Sequence, residues 1–237
     1  MGTGRTGESL VGTFSRPTSV FLYGPPGPLL DWVAWAVASQ APGGYHWTDV
    51  RLDGEGPEPL GPLSQGTVPP EHLAIVHPYE LAPDHAVANA AISVGIRPDE
   101  HSVQLERLVD FLRLPPRTQK FLSATAPTGP PLVLIVSNGN RLLPFFNTRE
   151  SVRSANRALT DNGFAILDVF SQVPSDARFV FDHVWRLGEG TVRNWRKSKL
   201  EIEQAGSSGS LSSDGKLTLE ELGPVASVLA RALDPLT

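Results

Sequence analysis

The sequence predicts an α/β fold: a doubly wound, mostly parallel sheet flanked by helices, with antiparallel strands at its C-terminal end. Three observations predict it. Short apolar runs alternate with helix-length patterned stretches as far as residue 170, the order that builds a parallel sheet through helical crossovers. One of those runs, LVLIV at residues 132–136, is apolar throughout, as a strand buried on both faces requires. Beyond residue 179 strand-like runs succeed one another without helix-length stretches between them, with Gly188 to Gly190 as a turn, which reads as an antiparallel tail.

Residues 20–23 form the first strand and end in a Gly/Pro turn, and residues 29–40, rich in Trp, Val and Ala, read as a buried helix. Residues 45–52 alternate apolar and polar and predict a second strand. Residues 53–70 are Gly/Pro-dense without periodicity and predict a long loop, and residues 73–77 a short third strand. Helices are expected at 83–95 and at 103–114, where Leu105, Leu108, Val109 and Leu112 share one face. After a second turn-rich connection at 115–131 comes the central strand at 132–136. Asn147 or Thr148 caps a helix expected at 149–161, closed by Asn162-Gly163, and residues 164–170 are the next strand. Strands are expected at 179–187, 191–195 and 199–203, a flexible low-complexity loop at 206–213, and a last helix at 219–233 with Leu222, Val225, Ala226 and Leu229 on one side.

Composition narrows the function classes. The chain has 237 residues, enough for one large α/β domain, and is 40% hydrophobic and 19% charged, an ordinary globular balance. Residues 1–16 are Gly/Thr/Ser-rich without an apolar stretch, so a flexible N-terminal arm rather than a signal peptide is expected, followed by a single domain over 17–237. No apolar run is long enough to span a membrane, and a cytoplasmic protein is expected. The absence of cysteine excludes disulfides, thiolate metal sites and cysteine nucleophiles. The six histidines (His46, His72, His77, His85, His101 and His183) make no metal spacing, and no G-x-S-x-G elbow is present. Asp182-His183 lies in a predicted strand, where neighbours point to opposite faces, so the two do not form a catalytic pair. The net charge of −5 is uneven: residues 141–199 carry 10 basic and 6 acidic side chains, and an anionic partner would bind there.

The strand, Gly-rich turn and helix of residues 19–38 form the context in which backbone N–H groups and a helix N-terminus hold phosphate. The motif for that task is G-x-x-x-x-G-K-[ST]. Here the eight positions are Gly24, Pro25, Pro26, Gly27, Pro28, Leu29, Leu30 and Asp31. Leucines replace the second glycine and the lysine, and Asp31 replaces the hydroxyl residue. An apolar side chain stands where phosphate charge would lie, and the nearby carboxylate would repel an anion.

With LVLIVSNGNRLL (residues 132–143), FAILDVF (164–170) and FVFDHVWRLGEG (179–190), the YGPPG turn resembles the RecA-like P-loop ATPases of the KaiC and RadA branch, over roughly residues 18–220. The resemblance implies that the strand at 132–136 should end in an acid that holds Mg²⁺ through water. The matching position is Ser137, followed by Asn138, or Val136 if the register slips by one. With lysine, hydroxyl and acid all replaced, the parts that phosphoryl transfer depends on are missing. The expectation is therefore a non-catalytic domain without cofactor or metal, acting as a regulatory or structural subunit through a protein partner or as a homo-oligomer.

Two alternatives stand beside it: a nucleic-acid-binding accessory protein like the recombinase paralogues, and a divergent nucleotide-binding ATPase. Arg149, Arg153 and Arg157, spaced by four on one helix, and Arg193, Arg196, Lys197 and Lys199 around Trp195, suit single-stranded nucleic acid or a protein interface; a solvated surface accounts for them equally well. A divergent nucleotide-binding ATPase would need a substitute cation, such as Arg141 or Arg178, over Gly24–Gly27. Glu80 and Asp84, placed after the third strand where the family often carries its water-activating glutamate, read as loop residues without the rest of such a site.

Overall fold

The structure is a computed structural model that describes residues 10–52, 54–76, 129–139, 163–171, 181–205 and 211–237, with isolated helical positions between 153 and 161. Its described strands are β1 (Ser19–Tyr23), β2 (Tyr45–Val50), β3 (Leu73–Val76), β4 (Val133–Ser137), β5 (Ala165–Phe170), β6 (His183–Leu187), β7 (Lys199–Ala205) and β8 (Leu211–Thr218). They form an α/β architecture around one sheet in the order β3-β2-β4-β5-β1-β6-β7-β8. The first six in that order run parallel; β7 pairs antiparallel with β6 and with β8. The alternating part of the chain thus makes the parallel sheet, and the tail extends it antiparallel.

β1 is central and all five of its residues are buried, so its side chains divide between two cores. Val20 and Leu22 face a large core shared with α1 (Pro28–Ala38), α2 (Pro224–Leu233), Trp47, Ile135, Leu167 and Trp185. Phe21 and Tyr23 face the other way, against Phe170, Phe181 and Val184. The helix α1 buries eight of its residues, including Trp32, because it lies between the sheet and α2. Burying each large apolar side chain contributes roughly 1.5–3 kcal/mol.

Several expectations require correction. The core begins before residue 17: residues 10–13 are helical, and Leu10 and Phe14 are buried, with Phe14 edge-on to Trp185 at 5.8 Å. The strand expected at 191–195 is a 3₁₀ segment, Val192–Lys197. Its buried residues, Val192 and Trp195, are three apart and share a face at three residues per turn, a spacing that alternation cannot produce. The loop expected at 206–213 overlaps β8, which starts at Leu211 and pairs through backbone groups that do not need apolar side chains. The last helix is broken: Leu219–Glu221 is a 3₁₀ turn with a reciprocal Thr218–Glu221 capping box, Gly223 turns the chain at φ 57, and Pro224 opens α2. Leu222 is therefore buried outside that helix. The closing of the helix before β5 follows expectation, with Gly163 at φ 87 and its N–H donated to Thr160. The helices expected at 83–95 and 103–114 lie outside the described residues.

Candidate functional site

Because β1, β2 and β4 are parallel, their carboxyl ends share one edge, the place where ligands bind in open α/β sheets. The 24–27 turn leaves β1 at that edge, and Ser137 and Asn138 end β4 two strand spacings away, about 10 Å.

The turn is poor in the donors an anion needs. Pro25, Pro26 and Pro28 have no N–H. The Gly24 N–H donates to the Phe170 carbonyl at 3.2 Å and the Leu30 N–H to the Gly27 carbonyl at 3.3 Å. That leaves Gly27 and Leu29 as the turn's remaining donors. Both glycines have steric reasons of their own. Gly27 caps α1 at φ 140, a conformation closed to side chains, and a Cβ on Gly24 would lie 2.9 Å from the Leu187 Cβ and carbonyl oxygen. Leu30, at the motif's lysine position, is 4% exposed, and its Cδ1 lies 3.4 Å from where that Cβ would be. An apolar side chain thus fills the space beneath the turn.

Asp31 follows in the first turn of α1, half-buried, with its carboxyl pushed up to about 8 by burial and by the charges of Asp49 and Glu58. Burial thus favours its neutral form, which offers no charge to a cation and does not repel an anion, against the repulsion expected from the sequence.

Asp49, near the end of β2, is in register with Ser137 and is 3% exposed. The Trp47 indole N–H donates to the Ser137 hydroxyl at 3.0 Å, and that hydroxyl donates to Asp49 Oδ1 at 3.0 Å. The Asn138 amide donates to the same oxygen at 3.2 Å, from a residue at φ 55, and the Arg51 guanidinium pairs with Oδ2. The strand beside β4 thus carries a buried acid that is already paired with a cation and hydrogen-bonded. Sequence reading missed Asp49; its signal was a lone carboxylate near the end of an otherwise buried strand. Among the described residues no group of three or more His, Asp and Glu side chains is arranged to hold a metal ion.

The basic candidates separate. Trp195 is 2% exposed, and its indole N–H donates to Asp234 at 3.2 Å, so its ring presents no face for a base, against the nucleic-acid alternative at this residue. Arg196 bonds Asp234 at 2.6 Å, lies 3.9 Å from Glu220 and sits 4.7 Å over the Trp195 ring. Arg193, Lys197 and Lys199 are exposed. Arg153 is half-buried and Arg157 exposed. Arg149, Arg141, Arg178, Glu80 and Asp84 lie outside the described residues. Asp182 is structural: its carboxylate accepts from the Ser19 N–H at 2.8 Å and from the Ser19 hydroxyl at 2.9 Å, fixing β6 to the start of β1. Among the described residues no helix is long and apolar enough to cross a membrane. No family model and no curated protein matches the sequence.

Proposed function

We propose that this chain is a RecA-like domain of the KaiC and RadA type that has lost nucleotide chemistry and acts as a non-catalytic regulatory or structural subunit by binding a protein partner. The observation that carries this reading is the turn itself. Three prolines remove N–H donors and Leu30 fills the space beneath. The parallel sheet supports the ancestry, since it brings the 24–27 turn and the Ser137–Asn138 segment to one edge from positions over a hundred residues apart.

Loss of the site leaves the scaffold intact. Asp49 is held by Ser137, Asn138 and Arg51, so this edge is a closed structural network rather than an open cation site. A subunit can keep such a frame for contact with partners while the reaction is lost. Isothermal titration with Mg-ATP and Mg-ADP tests the reading: no saturable heat is expected up to millimolar nucleotide. Micromolar binding would overturn it and direct attention to a substitute cation.

A further inference from the structure

Beside the degenerate turn lies a cleft of about 350 Å³. Three segments build it: the turn and the start of α1 (Pro25, Pro26 and Leu29), the turn carrying Leu60, and the chain leaving β6 (Leu187, Val192 and Arg193). Apart from Arg193, and Thr191 beside it, the side chains of the wall are apolar.

Two of them are not explained by the fold. Leu60 is 49% exposed and sits at φ 61, a left-handed conformation that is unfavourable for a bulky side chain. The Trp32 indole holds it there by donating to the Leu60 carbonyl at 2.6 Å. The chain therefore keeps an apolar side chain at the surface in a strained conformation that glycine would adopt freely, a pattern characteristic of functional positions. Arg193 is the charged side chain of the wall, is exposed and makes no ion pair among the described residues. Glu58, whose charge acts on Asp31, is not part of the wall.

We propose that this cleft binds an extended peptide segment of a partner protein that presents an apolar side chain next to a carboxylate. The apolar side chain packs against Leu60 and the proline turn, and the carboxylate pairs with the Arg193 guanidinium. Prolines at 25, 26 and 28 offer the peptide no N–H groups, so recognition runs mainly through apolar contact and that single cation, with the Gly27 and Leu29 N–H groups as the turn's remaining donors. The inference rests on the protein-binding reading above and names where and what it binds.

A random peptide library displayed on phage, selected on the immobilised full chain, tests it. Enriched peptides are then titrated by fluorescence anisotropy against the wild type, Leu60→Gly and Arg193→Glu. The expected peptides carry an apolar residue within two positions of Asp or Glu, and each substitution weakens them about tenfold or more. Glycine takes the φ of residue 60 without strain, so Leu60→Gly should keep a thermal midpoint equal to or above the wild type, which separates lost binding from lost folding. Selection on Arg193→Glu should exchange the acidic residue for Lys or Arg. No enriched sequence, binding that survives both substitutions, or an unchanged acidic preference on Arg193→Glu would each overturn the proposal. A chain that ignores nucleotide and enriches no such peptide keeps the proposed function and loses this inference; micromolar nucleotide binding overturns the proposed function itself.

Discussion

Asp31 and Asp49 are two acids at one sheet edge with different environments. Asp49 is compensated by Arg51, Ser137 and Asn138, whereas the Asp31 carboxyl is pushed up to about 8 by burial first and by the Asp49 and Glu58 charges second. Its folded value lies above the ordinary 3.8, so the folded state holds a proton that the unfolded chain has released. Its contribution is complete below pH 3.8 and is lost as pH rises toward 8. Asp31→Asn, neutral at every pH, should match the wild type near pH 4 and exceed it by ~2 kcal/mol at pH 8, in urea unfolding followed by circular dichroism; solvent at the half-buried carboxyl reduces the gain below the full shift. His46 runs in the opposite sense. Burial, then His72, lowers it to about 4, so its share of stability falls as pH drops from 6.5 toward 4. Asp49→Ala removes the shared acceptor of Ser137, Asn138 and Arg51 and leaves a guanidinium without its counter-ion. A loss of ~3 kcal/mol is expected in the same unfolding measurement.

The elements differ in how far the sequence exposed them. LVLIV and FAILDVF are continuous apolar runs of strand length, and they are β4 and β5 to within a residue or so. The segment 192–197 does not show its 3₁₀ form in the sequence, because its two buried residues are three apart among basic neighbours, which looks like a cationic surface with an aromatic in it. In the fold Trp195 is core and Arg196 lies across it, bound to Asp234. Trp195→Ala should therefore destabilise the fold by ~3–4 kcal/mol in thermal or urea unfolding, the cost of an emptied aromatic site. A nucleic-acid stacking role would instead leave stability near the wild type and lower affinity for a single strand. The break at Gly223 was legible in principle, since Gly-Pro places a helix start at Pro224; the apolar spacing across it hid the boundary.

At the scale of the whole molecule, the class was legible because alternating strand and helix patterns dictate a parallel sheet whatever the side-chain detail. The site was legible only by what it lacks. Leu30, Asp31 and Ser137 at the positions of the phosphate-binding motifs can be read from the sequence, but the Asp49 network depends on β2 and β4 lying side by side in one register across some ninety residues of chain, which no local pattern specifies. The strain at Leu60 is likewise set by the Trp32 indole, a tertiary contact. The proposed function has the turn between β1 and α1 holding no phosphate. Its most direct test is a ¹H–¹⁵N titration of the assigned Gly24, Gly27 and Leu29 amides with Mg-ADP. Amide positions that stay put up to millimolar nucleotide are expected. Saturable shifts of these three amides at micromolar nucleotide would contradict it.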